Sequence, residues 1–264
     1  MMNVLVFPTT VFYLLAAYVC ISGLLNKQSA ANKWLWLSAG CAMLLHAIWE
    51  FEHLFLAQGQ DLSIFNVAGL VSLLIAITVT SLTKPFKLWF VLPVVYLFAI
   101  ISMLLAVLIP SDYIIHLELK PQVLIHISVA LAAFTVLMIA SLYALQMAYL
   151  DWTLKRHKPG AIHPAMPSLM GLEKQLFTLI RVGWILLTIS LFSGFIFLTD
   201  FFAHGRGHKA IFSLIAWAIY SSLLWGHHYR GWRGKTVVIM TVIGSILLSL
   251  AYFGSRFVKE ILLS

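Results

Sequence analysis

The sequence predicts an all-α, polytopic membrane protein, and three observations carry that reading. Hydrophobic residues make up 62% of the chain and charged residues only 10%, against roughly 25% charged in soluble domains. Mean hydropathy is +0.97. The apolar residues fall into about eight runs, each near the length that spans a bilayer.

In chain order the predicted helices are Val4–Leu25, Trp34–Leu56, Ile64–Leu82, Leu88–Ile109, Gln122–Leu150, Gln175–Thr199, Ala210–Tyr229 and Thr236–Val258. The first carries no basic n-region and no small-residue cleavage site follows it, so it reads as a retained helix and not a signal peptide. Cys20 and Cys41 lie inside apolar runs and form no CxxC motif. The longest loop, Asp151 to Lys174, is short of a soluble domain. One integral membrane domain over residues 1–264 is expected, with no internal repeat.

Charge placement sets the expected orientation. One set of loops carries Lys27, Lys33, Lys84, Lys87, Lys155, Arg156, Lys158, Lys174, Arg230, Arg233 and Lys235. The other carries Lys120, Arg206, Lys209, Arg256 and Lys259 beside Asp61, Asp112, Glu118 and Asp200. The more basic set is expected to face the cytoplasm of a bacterium, with both termini on the outer, periplasmic side of the inner membrane. The net charge of +8 is then membrane topology and lipid contact, not nucleic-acid binding.

The chemistry rests on histidines in apolar helices, where an imidazole is expensive unless paired, ligated or facing a cavity. His46 stands midway through the second predicted helix. His227 stands near the cytoplasmic end of the seventh, and His126 opens the fifth near the outer face. Candidate sites thus fall at two levels. Two imidazoles from different helices can clamp a haem iron, and His46 and His227 fit as such a pair. Hydrogen bonds to neighbouring backbone or hydroxyl groups are the plain alternative. His227 and His228 occupy the same helix end at different angles, and the sequence leaves the choice open.

His46, Glu50 and His53 share one helical face. They suggest a metal or proton site, or, with Asp61, an ion path; solvated carboxylates are the plain reading of Glu50 and Glu52. His204 and His208 in an outer loop could ligate a metal or simply be solvated. Arg256 could pair with a haem propionate or snorkel to the headgroups. Trp34, Trp36, Trp89, Trp152, Trp225 and Trp232 sit at predicted helix ends, as an aromatic belt does. No nucleophile–base pair, phosphate loop or dinucleotide fingerprint is present.

Several short motifs carry a resemblance. They are Leu44-Leu45-His46, Leu62-Ser63-Ile64-Phe65-Asn66, His126, Ala144-Leu145-Gln146, Trp217 through Tyr220, His227, Gly231-Trp232-Arg233-Gly234 and Tyr252-Phe253-Gly254-Ser255-Arg256. Together they resemble the cytochrome c assembly protein family of CcsA and HemX, over nearly the whole chain. The resemblance implies that His46 and His227 are axial ligands of haem b in the membrane. It implies that His126 is the first of two outer-face histidines at a haem exit site. It implies haem handling or export for cytochrome c maturation, with haem, lipid and another membrane protein as partners.

Two departures qualify this. The outer loop Asp200 to Lys209 lacks the family's tryptophans, and Gly254 to Ser264 contains no histidine. An incomplete exit site is therefore expected, and no enzymatic attachment of haem. The alternative is a scaffold or regulator of the same fold that binds a transporter or a tetrapyrrole-synthesis enzyme without haem.

Overall fold

The computed structural model describes residues 2–26, 32–56, 59–109, 114–116, 121–156, 167–197 and 207–254. Eight α-helices dominate: α1 Val6–Leu25, α2 Lys33–Leu54, α3 Ile64–Phe86, α4 Leu92–Leu108, α5 Pro121–Lys155, α6 Leu169–Phe197, α7 Gly207–Arg230 and α8 Lys235–Ser249. Seven are long and apolar enough to cross a membrane, and α4 is apolar but shorter. The chain is a polytopic all-α membrane protein.

Helix ends depart from the sequence expectation for local reasons. The run Leu88–Val91 forms a turn and not helix, and α4 starts beside Pro93, where a proline costs no hydrogen bond. The end of the second predicted helix pairs instead as a strand. Three short antiparallel strands were not expected: β1 Phe55–Leu56, β2 Gly59–Asp61 and β3 Ile114–Ile115, in that order across the sheet. They satisfy backbone groups where the helices stop. After α8 a π-helical turn covers Leu250–Gly254.

The described residues form two compact units. In the first, α1 packs on α2 and α4, and α3 packs on α2 and α4. In the second, α5 packs on α6 and α8, and α7 packs on α6 and α8. Each is therefore a closed ring of four consecutive helices, as short connections favour. Large apolar side chains such as Phe7, Tyr18, Phe192 and Phe195 stay exposed, which suits helices solvated by lipid. The interior of the first unit holds Tyr13, Trp49, Tyr96 and Met103, all fully buried.

The motif around Ser63 acts as the entry to α3. Asp61 Oδ1 accepts the Ser63 N–H at 2.9 Å, and Oδ2 accepts from Asn66 Nδ2 at 3.0 Å. This satisfies donors that an α-helix leaves open at its start. Asp61 thus serves the helix terminus.

Candidate functional site

His46 is enclosed in the first unit, 0% exposed. Its Nδ1 lies 3.2 Å from the Tyr13 hydroxyl of α1, and the two rings meet edge to face. Tyr13 packs in turn on Tyr96, whose hydroxyl lies 3.1 Å from Thr80 Oγ1. Nε2 of His46 has no hydrogen-bond partner; Glu50 Oε2 lies 3.7 Å away.

Glu50 corrects a sequence expectation. It is not a solvated carboxylate but is 3% exposed, with the Leu70 backbone N–H acting on its carboxyl. Its seat is on α3 at Gly69, where an added Cβ would stand 2.5 Å from Oε2. Glu52, by contrast, is exposed. His53 does not join a cluster with His46 and Glu50. Its Nδ1 donates to the Trp49 carbonyl at 2.8 Å, and its ring stacks on Trp49. No group of three or more metal-ligating side chains occurs among the described residues.

His227 belongs to the second unit, at the C-terminal end of α7. Its ring stacks on Phe177 of α6, centroids 3.5 Å apart and planes 19° from parallel. Nδ1 lies 3.0 Å from the Trp232 carbonyl. A carbonyl only accepts, so Nδ1 carries the proton and Nε2 is left with its lone pair. His228 is exposed and touches Tyr229. The two adjacent histidines, equivalent in the sequence, thus have different surroundings.

The Gly-Trp-Arg-Gly motif builds this contact. Gly231 and Gly234 have φ of +65° and +60°, the left-handed region that glycine enters without a Cβ clash. The chain folds back, Trp232 N–H donates to the Gly226 carbonyl at 3.2 Å, and the Trp232 ring covers Gly226. Any Cβ at Gly226 would meet that ring. Arg233 reaches Glu173 at 3.4 Å. Trp232, expected to be a belt residue, is therefore a hydrogen-bond acceptor for His227.

His126 lies in the first turns of α5. Its Nδ1 is 2.9 Å from Ser193 Oγ on α6, and that hydroxyl donates to the Ser190 carbonyl. The serine proton is thereby used, so His126 Nδ1 is again the donor. His126 meets α6 at Ser193 and His227 meets it at Phe177. Sixteen residues of helix separate these points, about 24 Å at 1.5 Å per residue. His126 and His227 thus meet α6 at well-separated heights.

His46 sits in one unit and His126 and His227 in the other. Arg256 and His204 lie outside the described residues, as does the side chain of His208. The other motif residues of α7 are structural. Trp217 and Trp184 stack and donate to Thr188 and Ser221. The buried Tyr220 hydroxyl joins Ser245 and the Thr241 carbonyl on α8.

Comparison with known proteins places these features. The family model described as "Cytochrome C assembly protein" matches residues 34–263. The inner membrane protein YpjD of Escherichia coli is 40% identical over 255 residues, 96% of each chain. More distant are the cytochrome c biogenesis proteins CcsA of a Synechococcus strain, 27% identical over 85 residues, and of Prochlorococcus marinus, 30% over 88. These cover 31% and 33% of this chain and 28% of each relative. No solved structure matches. With a family match over most of its length, the chain belongs to the cytochrome c assembly protein family.

Proposed function

We propose that this chain binds haem b in the bacterial inner membrane and handles or exports it for cytochrome c assembly, without attaching it to an apocytochrome. His46 and His227 would be the axial ligands, and His126 would receive haem at the other level. The family membership and the inner-membrane relative support the setting.

One observation carries the cofactor. In each of the three histidines Nδ1 is engaged by a neighbour, Tyr13, Trp232 or Ser193. That arrangement leaves Nε2 out of the bond. Histidines that ligate metals characteristically anchor the other ring nitrogen to an acceptor, fixing tautomer and orientation. A buried Nε2 with no partner, as in His46, is costly in an apolar interior and is met by a metal. Imidazoles anchored in this way are chemically suited to haem iron, and haem when bound would supply a redox-active iron and a cargo for transfer.

The chain's own residues then do the positioning. Tyr13 holds the His46 ring from α1. Phe177 fixes the plane of His227 by stacking, and the Trp232 carbonyl fixes its tautomer. Export without attachment is supported by the outer loop Asp200 to Lys209, which contains no tryptophan.

The test is an absorption spectrum of detergent-purified protein, oxidised and reduced, after haem feeding. A low-spin b-type spectrum that is lost in His46→Ala supports the reading. A wild type without a Soret band contradicts it. That second outcome would favour a haem-free scaffold, a reading the full enclosure of His46 also permits.

A further inference from the structure

The ligating nitrogen of His46 does not face open space. Within one turn of α2, three polar side chains are nine-tenths or more buried: His46 and Trp49, whose Nε2 and Nε1 have no hydrogen-bond partner, and Glu50, whose carboxyl is supported by the Leu70 backbone N–H. Orphaned buried polar atoms are uncommon and call for an explanation each. Here the imidazole and the carboxyl face one another across 3.7 Å. That is beyond a hydrogen bond, so neither satisfies the other.

The carboxyl is held there by shape. Helix α3 presents Gly69, and a Cβ at that position would stand 2.5 Å from Glu50 Oε2. The missing side chain of Gly69 is the seat of the carboxyl group. The i, i+4 spacing puts Glu50 on the same face as His46, one turn along. Nε2 of His46 faces the Glu50 carboxyl at 3.7 Å.

We propose that Glu50 is the access-determining residue of the His46 site. In the ligand-free chain its carboxyl occupies the approach to Nε2, and a metal-bearing ligand coordinates His46 only after Glu50 leaves its seat against Gly69. This rests on the reading of His46 as a haem ligand. The seated carboxyl is supported by the Leu70 backbone N–H but makes no hydrogen bond to His46. It competes because the seat is closed, with Glu50 3% exposed and resting against Gly69. Apparent affinity is reduced by the fraction of chains in which the site is open.

The experiment titrates haem into haem-free protein in detergent and follows the Soret band and its rate of appearance. Glu50→Ala and Glu50→Ser remove the carboxyl; Glu50→Gln keeps its size and seat. The two truncations are expected to load about tenfold or more faster and more tightly, since the open fraction rises towards one. Glu50→Gln is expected to load like the wild type or more slowly. Adding His46→Ala to each variant is expected to abolish the gain.

A second readout needs no haem. The ligand-free Glu50→Ala protein is expected to unfold at a higher temperature than the wild type, since a buried carboxyl is gone. Equal loading of wild type, Glu50→Ala and Glu50→Ser, with His46-dependent haem binding in all, would overturn the access role and leave the haem reading standing. No His46-dependent binding in any of them would overturn both.

Discussion

The proton on Nδ1 of His227 is held by the carbonyl of Trp232, five residues on and 3.0 Å away. A residue in a loop thus sets the tautomer of a residue in a helix, and two glycines shape the loop. In the first unit the Nδ1 contact runs across two helices, with the Tyr13 hydroxyl 3.2 Å from His46.

Replacing Gly231 by alanine places a Cβ on a residue with φ of +65°. The left-handed conformation costs an L-residue roughly 1–2 kcal/mol. Gly231→Ala is therefore expected to lower stability by about that amount and to loosen the carbonyl of Trp232. Thermal unfolding in detergent, compared with Ala at half-buried Gly40, checks the strain; an added Cβ at Gly40 meets nothing within 4 Å.

Tyr13→Phe keeps the ring packing on Tyr96 and removes only the hydroxyl. The buried Nδ1 of His46 is then left without its partner, a loss of roughly 1–3 kcal/mol. Lower stability than the wild type and a shifted haem midpoint potential are expected. An unchanged potential with His46-dependent haem still bound would show that Tyr13 does not tune the site.

Ser193→Ala removes the acceptor for His126. This histidine is only partly buried, so water can replace some of the loss and a smaller cost, about 1 kcal/mol, is expected. Histidine nitrogen NMR should show the His126 tautomer becoming mixed, with His227 unaffected. A single unchanged tautomer would count against Ser193 as its anchor.

The contact of Arg233 with Glu173 ties the loop after α7 to the start of α6, but Arg233 is 71% exposed. Exposed pairs contribute about 0–1 kcal/mol and weaken with salt. Glu173→Gln should therefore change stability by less than Gly231→Ala does. A larger loss than the glycine variant would show that the ion pair, and not the turn, holds Trp232.

Much of this was legible beforehand because bilayer crossing is written in composition and run length. His46, His126 and His227 stand out in the sequence as polar residues in apolar helices. What the sequence does not display is contact across helices. Tyr13 lies thirty-three positions from His46, and nothing in the periodicity of α1 sets it apart from Tyr18. Glu50 reads as an interfacial carboxylate because its burial depends on the missing side chain of Gly69 in another helix. The short strands were missed because two or three residues carry no readable alternation. Trp232 had a local signal in its flanking glycines, but a belt role at the helix end explained it equally well.

The most direct measurement compares reduced haem spectra of His227→Ala and His228→Ala. The two histidines are adjacent in sequence, yet only His227 is stacked on Phe177 and anchored by a carbonyl, while His228 is exposed. The low-spin b-type band should disappear or turn high-spin in His227→Ala and persist in His228→Ala. Persistence in His227→Ala, with or without loss in His228→Ala, would contradict the assignment of the second axial ligand.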